Sequence, residues 1–106
     1  MSNDKNRDNR ILAEFEGWTE ISAKVFCISS DKPYKWLHQF KYHTDRSELH
    51  RVWEKFRELR FGDNAVLEIQ FLTHYRQCIR AMSTGTLTDL YIALVNAVKW
   101  YNEVKK

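Results

Sequence analysis

Hydrophobic and polar positions along the chain switch between two periods, and the switches mark out alternating helices and strands. "NRILAEFEG" places Ile11, Leu12 and Phe15 on one side of a helix, with Asp8 or Asn9 to cap its start and Gly17 to close it. "WTEISAKVFCIS" then alternates. Ile21, Ala23, Val25 and Cys27 point one way and Glu20, Ser22 and Lys24 the other, the period of a strand. After the turn-forming "SSDKP", "YKWLHQFKYH" resumes the period of two. Tyr34, Trp36, His38, Phe40 and Tyr42 line one face, and Lys35, Leu37, Gln39, Lys41 and His43 the other, so these two strands are predicted to pair as a hairpin.

"TDRSELHRVWEKFRELRF" changes to helical spacing. Leu49, Val52, Trp53, Phe56 and Leu59 share about 120° of arc at 100° per residue. Asp45 and Glu48 have capping-box spacing, Thr44 is an alternative cap, and Gly62 ends the helix. "AVLEIQFLTHYRQCIRAM" satisfies two templates. As a strand, Leu67, Ile69, Phe71, Tyr75 and Ile79 alternate with Glu68, Gln70, His74, Arg76 and Arg80. As a helix, Val66, Ile69, Leu72, Tyr75, Ile79 and Met82 share a side. The long alternation and β-rich composition favour a strand, bent near Thr73. "TLTDLYIALVNAVKWYNEVKK" reads as a helix, with Thr86 and Asp89 at capping-box spacing after Gly85. Its apolar arc runs from Trp100 through Ala97, Leu90, Tyr101 and Leu94 to Val95, leaving Ile92 on the polar side.

The predicted fold is therefore α+β in the order α-β-β-α-β-α, a three-stranded mixed sheet with helices packed on it. Residues 1–7 are expected to form a disordered polar tail and 8–106 a single α+β domain. At 106 residues one core suffices, since a chain of this size buries roughly 65% of its unfolded surface.

Composition narrows the function classes. A net charge of +3 and a pI near 8.9 are mildly basic, less than dedicated nucleic-acid modules concentrate. The opening "MSNDKNRDNR" lacks the apolar core of a signal peptide, and no apolar run approaches membrane-spanning length. A cytoplasmic protein without membrane attachment is expected. Cys27 and Cys78 have no CxxC spacing and read as small buried hydrophobes in a reducing compartment.

"HQFKYHTDRSELH" holds His38, His43 and His50 close together in sequence. On the predicted elements His38 and His43 face opposite sides of a strand, and His50 sits on a helix flank beside Glu54 and Arg57. Three groups on three surfaces do not converge on one ion, and His74 lies far along the chain, so no metal is expected. No Gly-rich phosphate loop, GxSxG or HExxH occurs, and Cys78 has no nucleophile signature, so neither enzymatic activity nor a cofactor is expected. The aromatic stripe Tyr34, Trp36, Phe40 and Tyr42 can stack bases or fill a core. Core is the preferred reading, because alternating large hydrophobes are first a burial pattern. In the helix after it, Arg46, Arg51, Lys55, Arg57 and Arg60 are interleaved with Glu48, Glu54 and Glu58, as on a solvated face.

Three segments, "NRILAEFEGW", "YHTD" and "ALVNAVKWYNE", resemble the phage ABA sandwich domain family, in order along most of the chain. The resemblance implies an α/β/α layered domain in a phage or prophage of a bacterial host. It implies no activity and no site residues, the family's function being unknown. The expected function is a non-catalytic accessory protein, a monomer or weak homodimer, that binds another protein through Ile92 and Trp100. The alternative is nucleic-acid binding through Lys35, Lys41, Arg76 and Arg80.

Overall fold

The computed structural model describes residues 2–22, 24–27 and 35–105, excepting the side chains of 2–6 and 38. The elements are α1 (Ser2–Glu16), β1 (Thr19–Ser22), β2 (Val25–Cys27), β3 (Lys35–Trp36), a 3₁₀ turn (Leu37–Gln39), α2 (Arg46–Arg57), α3 (Ala65–Thr84) and α4 (Leu87–Val104). The class is α+β, as the sequence predicts, but the order is α-β-β-β-α-α-α.

Helix ends follow the sequence closely. Asp45 caps α2, its carboxylate accepting from the Ser47 and Glu48 amides. Thr86 and Asp89 form the expected capping box at α4. Gly17, at φ 114°, closes α1. Helix α1, however, starts at Ser2, so the stretch expected as a tail is largely helical. No glycine or proline interrupts residues 2–16, and extending an existing helix gains a hydrogen bond per residue without a new nucleus. Asp8 and Asn9 therefore sit inside the helix and not at its cap.

The predicted third strand is wrong: residues 65–84 form α3. Twenty residues without glycine or proline exceed ordinary strand length. The alternation misled because the helix is apolar on two sides. Phe71 and Cys78 are buried inward, with Tyr75 and Met82 packed beside them, while Ile69 and Ile79 point outward.

The sheet is antiparallel throughout, ordered β1-β2-β3, and not mixed. What the sequence presented as one strand folds back on itself near Lys24, at φ 60°. The Lys24 amide donates to Glu20 Oε2 at 2.9 Å there. Phe26 is buried and Ile21 is exposed. Strands β2 and β3 realise the predicted hairpin, among the described residues, through Val25↔Trp36 and Phe26↔Lys35; "SSDKP" and Tyr34 lie outside the described residues. The period of two stops at Trp36, and the 3₁₀ turn follows. Residues three apart align in such a turn, so Leu37 and Phe40 both enter the core. Phe40 stacks on Tyr42 at 5.7 Å and meets Phe26 edge-on at 5.5 Å.

One contiguous core joins Leu12 of α1, Trp53 and Phe56 of α2, Phe71 and Cys78 of α3, and Leu94 and Val98 of α4. The principal helix contact is α3 on α4, with α1 and α2 also against α4.

Candidate functional site

The outward side of α3 is the least explained surface of the described fold. Val66 is 63%, Ile69 65%, Leu72 43% and Ile79 39% exposed. With Arg76 and Arg80 they span about 140° of arc at 100° per residue, opposite Phe71 and Cys78. The inward side needs no help from them. Phe71 packs on Phe56 at 5.0 Å and on Phe61 at 5.6 Å, and Tyr75 packs on Trp53 at 5.1 Å.

The electrostatics of this side are one-signed. No Asp or Glu occurs between Glu68 and Asp89. Glu68 accepts from the Phe61 amide at 3.2 Å, and Asp89 is held by the Thr86 amide at 3.0 Å. Among the described residues, the guanidinium of neither Arg76 nor Arg80 has a hydrogen bond or an ion pair. Both arginines, with Thr73 and Gln77, line a shallow cavity of about 270 Å³. Arg80 also lines a groove of about 360 Å³ between α3 and α4, whose far wall includes Asp89, Ile92 and Asn96.

The structure therefore brings Ile92, Arg76 and Arg80 onto one surface, although sequence reasoning put them in separate hypotheses. The other three residues go elsewhere. Trp100 is half-buried and not a free contact residue. Its Nε1 donates to Gln70 Oε1 at 2.8 Å, and its ring meets Phe61 at 5.4 Å and His74 at 5.2 Å, pinning α4 to α3. Lys35 is engaged within the fold. It is bonded to Glu48 Oε1 at 2.9 Å and lies over the Phe40 ring at 4.8 Å. Lys41 sits at the corner before α2, where its amide donates to Glu48 Oε2 at 2.7 Å, and it lines neither cavity. Phe40 and Tyr42 of the aromatic stripe are core, whereas Trp36 is exposed.

The histidines disperse. His43 Nδ1 lies 3.3 Å from Asn9 Nδ2. His50 pairs with Glu54 at 3.3 Å on the exposed flank of α2. His74 lies beside Trp100 with a buried, unpartnered Nδ1, and burial holds its pKa below the ordinary value. The His38 side chain is outside the described residues. No three His, Cys, Asp or Glu side chains among those described are placed to hold one metal ion. No described helix is long and apolar enough to cross a membrane. Burial pushes the Cys78 thiol up to about 12, so it carries almost no reactive thiolate at neutral pH.

Sequence reasoning missed Asn9, which it read as a cap. The residue is 3% exposed. Its Nδ2 donates to the Phe40 carbonyl at 3.2 Å, and its Oδ1 accepts from the Tyr91 hydroxyl at 2.8 Å. An amide NH₂ only donates, so His43 Nδ1 is the accepting nitrogen. A mostly apolar cavity of about 380 Å³, lined by His43, Thr44, Thr88, Tyr91 and Ile92, lies in front of this junction. His43 Nδ1 and the Tyr91 hydroxyl are bonded to Asn9, tying α1 to the corner and to α4.

Comparison with protein-family models, with curated proteins and with solved structures found no match to the chain.

Proposed function

We propose that this protein is a non-catalytic protein-interaction module that binds its partner through the outward side of α3. The observation that carries the reading is the stripe of Val66, Ile69, Leu72 and Ile79, exposed on a helix whose other side already fills the core. Complete burial of one such side chain is worth about 1.5–3 kcal/mol, so covering the exposed parts of four contributes about 4 kcal/mol to a complex. Ile92 extends the contact across the groove. Placement in a phage or prophage of a bacterial host rests only on the resemblance of three sequence segments to the phage ABA sandwich domain family.

The test is capture from the cells that make the protein, comparing the tagged wild type with the double variant Ile69→Ser, Ile79→Ser at matched thermal stability. A partner retained by the first and lost by the second is expected. Equal retention, or no specific partner for either, would refute the reading.

Nucleic-acid binding is the second reading, and the unpaired Arg76 and Arg80 favour it. It has lost Lys35 to an ion pair and Phe40 and Tyr42 of its stacking stripe to the core. Two phosphate contacts give a log–log salt slope of about −1.8 on duplex DNA, readable by anisotropy with labelled oligonucleotides.

A further inference from the structure

We propose that the partner presents an acidic amphipathic helix, which lies along α3 and pairs its carboxylates with Arg76 and Arg80. The inference rests on the reading of α3 as the docking face and specifies what docks there. The exposed apolar positions run from Val66 to Ile79, about 20 Å at 1.5 Å per residue, the length of a partner helix of nearly four turns. Their spacing offers holes for apolar residues repeating at i, i+3, i+4 and i+7. Arg76 and Arg80 stand one turn apart within this stripe and have no carboxylate of their own. Docking an apolar helix over them removes water from both guanidinium groups, which is unfavourable unless the incoming face supplies acceptors. Asp or Glu at matching one-turn spacing supplies them in the forked geometry that guanidinium prefers.

The same facts argue against the other occupants. A second copy of this chain would bring the same acid-free, arginine-bearing face to itself, because a two-fold interface sets one patch against its twin. Nucleic acid would leave Ile69, Leu72 and Ile79 without apolar cover between the two phosphate contacts. Helices that lie on membranes carry aromatic residues on the apolar side and many cations on the other. The outward arc of α3 has no aromatic residue and two arginines.

The experiment uses two labelled synthetic helical peptides with identical leucines at i, i+3, i+4 and i+7, one flanked by Glu and one by Lys. Binding to the full chain is read by fluorescence anisotropy at low and moderate salt. The Glu peptide is expected to bind at least tenfold tighter than the Lys peptide. The double variant Arg76→Glu, Arg80→Glu should reverse the preference, and Ile69→Ser, Ile79→Ser should abolish binding of both. Both pairs are surface changes, checked by circular dichroism for retained helix. No binding of the Glu peptide, equal binding of the two, or indifference to the charge reversal overturns the proposal. So does preferential binding to phosphatidylserine vesicles or duplex DNA, or self-association through α3 in sedimentation. If partner capture depends on Ile69 and Ile79 while the peptides fail, the docking face stands and the acidic helix falls. If capture fails as well, both fall.

Discussion

Replacing Asn9 by alanine tests whether the buried polar junction holds α1 in place. The side chain makes three contacts, to the Phe40 carbonyl at 3.2 Å, to His43 Nδ1 at 3.3 Å and from the Tyr91 hydroxyl at 2.8 Å. At about 1 kcal/mol net for each, their loss removes about 3 kcal/mol, and more if the Tyr91 hydroxyl stays buried without a partner. Alanine returns about 0.5 kcal/mol through better helix propensity. The expected net loss is about 2.5 kcal/mol, a fall in Tm of about 10–20 °C for a chain of this size. Urea unfolding followed by tryptophan fluorescence measures it. Tyr91→Phe removes one of the three bonds and should lose about 1 kcal/mol, with a coupling to Asn9→Ala of similar size in a double-mutant cycle. If Asn9→Ala unfolds within 0.5 kcal/mol of wild type, the junction contributes nothing and α1 does not pack as described.

Gly85→Ala should lose about 1–2 kcal/mol although its φ is ordinary. An added Cβ would stand 2.7 Å from Asp89 Oδ2 and 2.9 Å from the Ala81 carbonyl, displacing the carboxylate that caps α4. Thermal melts check this, and an unchanged Tm would show that Asp89 relaxes freely. Stability should also fall at alkaline pH. Burial raises Cys78 from 9.0 to about 12 and raises Tyr42 and Tyr91 above 10.0. All three are neutral when folded and ionise first in the unfolded chain. Their contribution is complete below about pH 9 and is lost as pH rises toward the folded values. Urea midpoints from pH 8 to 11 should decline, less so in Cys78→Ala; a flat profile would contradict the burial of these groups.

Much of the fold was legible because local chemistry and tertiary packing agree there. Asp45 caps α2, Thr86 and Asp89 box the start of α4, and Leu49, Val52, Trp53 and Phe56 form the predicted buried stripe. Helix α3 was legible only as the less favoured of two templates. Periodicity identifies a helix when one side is polar, and here Val66, Ile69, Leu72 and Ile79 place apolar residues on the solvent side. The anomaly that hid the helix is the same one that marks the candidate site. Arg76, Arg80 and Ile92 were each named from sequence, but on a strand reading the arginines belong to a sheet face and Ile92 to a helix with no relation to them that the sequence shows. Only the α3–α4 contact places them together. The hairpin at Lys24 was also hidden, because a non-glycine residue at positive φ leaves little trace in composition.

The central claim is that the apolar side of α3 is exposed in the free protein and reserved for a partner. The most direct test is equilibrium unfolding of the double variant Ile69→Ser, Ile79→Ser. The covered parts of Ile69 and Ile79 together amount to about one buried side chain, worth about 1.5–3 kcal/mol, and serine and isoleucine have similar helix propensities, so the free energy should fall by no more than about 3 kcal/mol. A loss of about 4 kcal/mol or more would mean that both side chains are core residues, and the docking face would not exist.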